Sequence, residues 1–436
     1  MPFITHPLSP DNLPVVPLWI NGAAHAASED DNLFPVISSV QDKPVHYAVS
    51  VSPKTAALAV ESAASALVQW RKTTPAHRRA LILKAADVLE KKGKEVMQAQ
   101  MTETSCAEAF AQFNLRSTEW IREVASATTE LRGVVAQNAS GEGGEDVVVK
   151  ASELCPLTHH LLLEAFEEAG IPPGVINMIQ ARREDAAAVT EAIVAHKALR
   201  KVDFIGSAAV GSKIGQLCAK YLKPVLMELG GKGPALVLED ADLEQAAKLC
   251  AMGAVADHGQ LCFSTERIIV HRAIYDDFVK HLTAVFSHIP GAGDAVTRQS
   301  AKASRTTEGI GRANFFFDAK ENGATFLAGG LQFISETSLK PTLVTNVSRN
   351  ARIFDEETFG PSATVYMAQN DEDAVAKAND SAYGLNAAVH SRSWEHAFEM
   401  AKQLEYGQVH INNVTCTDAP GVPIKGVKGS GWGNFQ

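Results

Sequence analysis

Apolar residues recur at helical spacing from Lys54 to about Trp70, where Ala57, Leu58, Val60, Ala64, Leu67 and Trp70 fall on one repeating face. Pro75 predicts the start of a second helix, because a proline ring suits a first turn, and Leu81, Ile82, Ala85, Leu89 and Val96 share its apolar side. A further helical stretch runs from about Ala107 to Leu131. Ahead of these, Leu18-Trp19-Ile20-Asn21-Gly22 reads as a strand ending in a turn. Residues 137–146 break the pattern, being rich in Gly, Ser, Asn and acidic residues, and read as a loop or linker. Beyond them the texture alternates. Asp146–Lys150 is a β-branched run, Leu157–Ala169 a helix, and residues 170–179 a turn then a strand. Lys201–Ile205, Val210–Tyr221 and Pro234–Leu238 continue as strand, helix and strand. A second series follows Cys262, through Arg267–His271, Ile274–Phe286, Gly360–Ala368, Glu372–Asn379, Ala387–Ser391 and Trp394–Leu404. Strands alternating with helices predict an α/β protein with a parallel sheet covered on both faces.

At 436 residues the chain exceeds one compact core, so two or three domains are expected. A net charge of −10 with no Lys/Arg-rich stripe argues against a nucleic-acid partner. No stretch approaches the roughly 20 apolar residues of a membrane span. The N-terminus, with Pro2, Pro7, Pro10, Pro14 and Pro17, lacks the basic start and apolar core of a signal peptide. Six scattered cysteines without a C-x-x-C pair fit a reduced, cytoplasmic protein and give no metal spacing. The doublet His159-His160 opens an apolar helical run, so a capping or surface role is expected rather than a metal site.

Two residues carry candidate chemistry. Cys262 stands in Gly259-Gln260-Leu261-Cys262, and Glu228 in Glu228-Leu229-Gly230-Gly231-Lys232. A thiol that attacks a carbonyl carbon and a carboxylate that activates water are what aldehyde oxidation through a thioester requires. Singly, each has a plainer explanation, as a small core residue or a solvated acid. No G-x-G-x-x-G follows a strand. Gly206 and Ser207 lie between a predicted strand and helix, where backbone N–H groups can face a pyrophosphate, or where Ser207 simply caps the helix.

The wording around these residues resembles the aldehyde dehydrogenase family. Glu228–Lys232 is similar to its glutamate motif and Gly259–Cys262 to its cysteine motif, while Phe204-Ile205-Gly206-Ser207 resembles its Phe-x-Gly-Ser motif. Lys150-Ala151-Ser152-Glu153 and Glu357-Thr358-Phe359-Gly360-Pro361 match further family segments. The resemblance implies a Rossmann-type cofactor domain, incomplete here, plus an α/β catalytic domain. Their expected extents are 1–136 and 147–229 for the first, separated by the linker 137–146, then 230–417, then a shortened C-terminal segment 418–436. It implies Cys262 as nucleophile and Glu228 as the base that activates water. Lys150 and Glu153 would hold the adenosine ribose, Gly206 and Ser207 would contact the cofactor, and Glu357 and Phe359 would hold the nicotinamide ribose and ring. A carboxylate at Glu153 would repel a 2′-phosphate, which favours NAD, although Lys150 could pair with that phosphate and keeps NADP open.

Two departures qualify the resemblance. The Pro-Trp-Asn motif that supplies an oxyanion amide is missing, because residues 137–146 stand where the family has a hairpin, the first strand of the cofactor sheet and a helix. The family also continues past Trp432 into a strand that joins a neighbouring subunit, whereas this chain ends at Gln436, so the usual homo-oligomer is not expected to form in that way. The expected function is NAD(P)-dependent oxidation of an aldehyde to its acid. Lys150–Pro156 is worded most like relatives acting on aromatic aldehydes. Alternatives are a catalytically impaired relative that binds nucleotide or a partner, and a cofactor-independent esterase using the same two residues.

Overall fold

The computed structural model describes residues 9–38, 43–104, 106–127, 146–289, 309–330, 333–335, 338–417 and 422–434. Residues 137–145 of the predicted linker lie outside this set, as do the first eight residues and Leu131. Two units make up the chain: Met1–Val202 with Leu217–Pro224, and Asp203–Gln216 with Val225–Gln436.

In the first unit, Leu18–Ile20 folds back on Ala23–His25. Asn21 and Gly22, at φ 55° and 70°, supply the two left-handed positions that a two-residue hairpin turn needs. Leu18–Ile20 also pairs with Ile176–Ile179, which runs parallel to Val147–Lys150, the terminal strand of this sheet. A second sheet joins Val15–Val16, Lys43–Ser50 and Asn32–Ser38. Ser52 caps the helix Pro53–Trp70 by accepting from the Thr55 N–H at 3.1 Å, and Ala56 and Ala59 pack toward Leu18, Val49 and Ile179. The helix Pro156–Ala169 closes at Gly170 (φ 98°), where the Ile171 N–H reaches back to the Phe166 carbonyl.

Three expectations here need correction. The helix begun at Pro75 ends at Lys91, and Val96 lies in a separate helix, Gly93–Thr104. At the break, a Cβ on Gly93 would meet a Leu115 methyl at 3.0 Å, a packing demand that apolar spacing does not register. The stretch from Ala107 divides into Glu108–Asn114 and Ser117–Ala127. His160 is neither capping nor surface: it faces inward, 3% exposed, with Nε2 3.5 Å from Glu164 Oε1.

The second unit is built on a seven-stranded sheet. Its order is Thr325–Ala328, Thr342–Thr345, Ser362–Ala368, Thr265–His271, Gly233–Val237, Asn386–His390 and Gln408–Ile411. All neighbours pair in parallel except the antiparallel edge strand Thr325–Ala328. Side chains of the central strands alternate between two buried faces. Ala235, Val237, Ile268 and Val270 pack with Phe278, Leu282 and Phe286, whereas Leu236, Leu238 and Ile269 pack with Ala374, Ala397 and Met400. The expected α/β class, with helices on both faces of a parallel sheet, is therefore observed. The pattern did not predict the helix Leu243–Val255, whose inner face is made of small residues (Ala246, Ala247, Cys250, Ala251, Ala254) rather than large apolar ones.

A smaller sheet orders Gly431–Trp432, Val225–Glu228 and Val202–Ile205. Val202–Ile205 is its terminal strand, and Ile205 is 66% exposed. No helix among the described residues is long and apolar enough to cross a membrane.

Candidate active site

The helix Leu243–Val255 ends in a tight turn in which Asp257, His258 and Gly259 take φ of 41°, 62° and 72°. Only glycine fits the last of these, because a Cβ on Gly259 would lie 2.0 Å from the Gly360 carbonyl oxygen. The turn delivers Gln260-Leu261-Cys262, and the Ser264 N–H closes back on the Leu261 carbonyl at 2.9 Å. Asn386, wholly buried, donates from Nδ2 to the Phe263 and Thr415 carbonyls at 2.9 and 2.7 Å, tying the cysteine segment to the chain beyond Gln408–Ile411.

Glu228 ends the strand Val225–Glu228 opposite Gly431, and its side chain is 4% exposed. Its Oε1 accepts from the Gly230 N–H at 3.3 Å, and its carboxyl lies close enough to the Cys262 thiol for each to shift the other's proton affinity. Glu357 lies over the same glycines. Its Oε1 accepts from the Gly231 N–H at 3.1 Å, and a Cβ on Gly230 would fall 2.5 Å from it. The structure thus brings Cys262, Glu228 and Glu357 together in the second unit.

Beneath them is a clamp that motif reading did not identify. Lys232 and Glu266, 1% and 3% exposed, form an ion pair at 2.5 Å, and Lys232 Nζ also donates to Thr358 Oγ1 at 3.0 Å. Glu266 accepts from the Thr358 N–H at 2.9 Å and the Phe359 N–H at 3.1 Å. This holds Phe359 in the left-handed region, at φ 51°. One signal was available: Glu266-Arg267 is a charged pair heading an apolar strand, and buried charges require partners.

The electrostatics follow from burial. Desolvation raises the Cys262 thiol well above its usual range, and the charges of Glu228 and Glu357 push it the same way. Burial likewise raises Glu228, against the opposing influence of the Gly230 N–H and Cys262. Glu357 is pushed up to about 8, by burial first and then by the charge of Glu266. Three acids in one dry site cannot all ionise together, so burial favours their neutral forms. Cys250 is sealed in the core and raised by burial, and Cys155 is pushed up to about 12 by burial and then by the charge of Glu103.

Of the remaining predicted residues, Gly206 and Ser207 start the helix Ala208–Lys220, and Ser207 Oγ accepts from the Val210 N–H at 3.4 Å. Ser207 does cap the helix, yet it remains exposed beside first-turn amides that have no intrahelical partner, a donor set suited to phosphate oxygens. Lys150 and Glu153 belong to the first unit, at the end of Val147–Lys150 and just beyond it. No group of three His, Cys, Asp or Glu among the described residues could hold a metal ion.

A model of the aldehyde dehydrogenase family matches residues 25–146 and 143–436. The chain belongs to that family. Vanillin dehydrogenase of Pseudomonas sp. (strain HR199 / DSM 7063) is 36% identical over 458 residues, which cover 96% of this chain and 94% of that one. Salicylaldehyde dehydrogenase of Pseudomonas sp. (strain C18) is 33% identical with the same coverage. The crystal structure of a salicylaldehyde dehydrogenase from Pseudomonas putida G7 complexed with salicylaldehyde superposes with a TM-score of 0.88 at 30% identity, covering 97% of this chain and 94% of that one. This aldehyde dehydrogenase is an enzyme that oxidises an aldehyde, and its family uses NAD or NADP. The two matched pieces meet at residues 143–146, within the glycine-rich stretch.

Proposed function

We propose that this aldehyde dehydrogenase converts an aromatic aldehyde to its carboxylic acid through a thioester on Cys262, with Glu228 as the base. The observation that carries this reading is the placement of the buried Glu228 carboxyl beside the Cys262 thiol in a desolvated site. Glu228 takes the thiol proton as the sulfur adds to the aldehyde carbon, giving a thiohemiacetal. NAD or NADP, when bound, would supply the hydride acceptor for oxidation at the aldehyde carbon, leaving the acyl group on Cys262. Glu228, its proton returned to solvent, then removes a proton from water as the oxygen attacks the thioester carbon, and the acid leaves as the thiol reforms.

Lys150 and Glu153 are assigned to the adenosine ribose, Gly206 and Ser207 to the pyrophosphate, and Glu357 and Phe359 to the nicotinamide ribose and ring. The glycine pair under Glu357 leaves a hydrogen-bonding carboxyl with no Cβ beneath it, which suits a ribose hydroxyl. Glu153 favours NAD over NADP. The names of the relatives, vanillin and salicylaldehyde dehydrogenases, support an aromatic substrate. Six free cysteines suit the reducing cytoplasm.

A second reading, an enzyme slowed by loss of the Pro-Trp-Asn amide, is favoured by the break in the family match at 143–146. One missing oxyanion donor typically costs roughly 10²–10³ in turnover. The test is NADH or NADPH formation with benzaldehydes against aliphatic aldehydes. Turnover lost in Cys262→Ala, and both the first burst of reduced cofactor and the steady-state rate slowed in Glu228→Gln, are the expected results. Oxidation that persists in Cys262→Ala overturns the proposal.

A further inference from the structure

The first unit contains a cavity of 380 Å³ bounded by the helices Gly93–Thr104 and Pro156–Ala169 and by the strands Val15–Val16 and Lys43–Ser50. Its walls are mainly apolar, from Val16, Pro17, Val45, Ala99, Leu157 and Leu161. Every lining residue lies in the first unit, whereas Cys262 and Glu228 lie in the second. Apolar cavities of about 150 Å³ accept benzene, and ligand pockets begin near 300 Å³, so this volume holds one or two fused rings.

Two ring nitrogens of the wall have no hydrogen bond among the described residues, and one of them, His46 Nε2, already faces Glu103 Oε1 at 2.8 Å. His160 is 3% exposed, and its Nδ1 has no hydrogen-bond partner among the described residues. The other ring nitrogen, Nε2, faces Glu164 Oε1 at 3.5 Å, and Glu164 in turn accepts from Lys92 Nζ at 2.9 Å. A nitrogen beside a carboxylate carries the proton, which leaves Nδ1 as an acceptor. Burial makes an unfilled acceptor costly, and a hydroxyl is the group that would fill it. An anionic ligand does not fit, because Glu95 and Glu164 both line the cavity, while Glu103 stands beside His46 at 2.8 Å.

We infer that this cavity is a second small-molecule site, taking a neutral one- or two-ring compound whose hydroxyl donates to His160 Nδ1. The probe is 2-naphthol, compared with naphthalene and 2-naphthoate, by calorimetric titration of the full chain and by a crystal structure of the complex. Expected are 2-naphthol density in this cavity, affinity above that of naphthalene by roughly 2- to 12-fold, the worth of one hydrogen bond, and no binding of 2-naphthoate there. His160→Phe should bring 2-naphthol down to the level of naphthalene. Ala99→Trp, which fills the cavity, should abolish binding of both, with Val45→Phe as a second filling variant if that protein does not fold. Ring density only elsewhere, equal affinity for naphthol and naphthalene in the wild type, or binding unaffected by both filling variants overturns the inference.

Discussion

Replacing Lys232 by Met tests whether the buried clamp, and not the local loop, holds the Glu357–Phe359 segment. The side chain keeps nearly the same length and volume, so no cavity opens, but Glu266 loses its cation. With both partners buried, water cannot screen the loss. Removing one member of a buried pair costs about 3–5 kcal/mol, because the remaining charge stays desolvated. Glu266 retains the Thr358 and Phe359 N–H donors, and hydrogen bonds to charged groups contribute about 1.5–3 kcal/mol each, which places the expected cost near the lower limit. About 3 kcal/mol corresponds to roughly a hundredfold easier local opening. Hydrogen exchange of the Thr358 and Phe359 amides reads this directly, and the cofactor KM should rise because Glu357 and Phe359 lose their support. Unchanged protection at those two amides, in a folded Lys232→Met protein, would refute the clamp.

The remaining expectations concern the same neighbourhood. Glu357 has a folded value of about 8 against an ordinary 4.5, so between those values the unfolded chain releases this proton and the folded chain keeps it. Stability therefore falls as pH rises through that window and is level above it; Glu357→Gln should flatten the slope, as read from denaturant midpoints at pH 5.5 and 8.5. Gly259→Ala would force a Cβ against the Gly360 carbonyl and displace the cysteine turn, with kcat expected to drop by about 10²-fold in steady-state assays. Asn386→Ala leaves the Phe263 and Thr415 carbonyls unpaired and should cost roughly 2–4 kcal/mol, measured by chemical denaturation.

Much of this architecture is local and therefore written in consecutive residues. Asn21-Gly22 closes a hairpin because both positions tolerate positive φ, Ser52-Pro53 starts a helix because a hydroxyl caps and a ring pre-sets φ, and Gly170 ends one because it lacks a Cβ. Cys262 and Glu228 stood out for a different reason: the motifs around them, Gly259–Cys262 and Glu228–Lys232, resemble those of the family. The small-residue helix Leu243–Val255 and the break at Gly93 were not legible, since periodicity counts large apolar side chains and these features depend on what packs against them.

The sequence alone thus determined the alternation of strands and helices, and its resemblance to the family singled out Cys262, Glu228 and the segment without the Pro-Trp-Asn amide. Only tertiary structure decided that Lys232 meets Glu266, that Glu266 reaches Thr358 across 92 positions, and that His160 turns inward rather than capping or facing solvent. The reason is physical. Caps and turns are settled by neighbours within four residues, whereas a buried charge takes whichever partner the sheet carries to it, and the distance along the chain leaves no local trace.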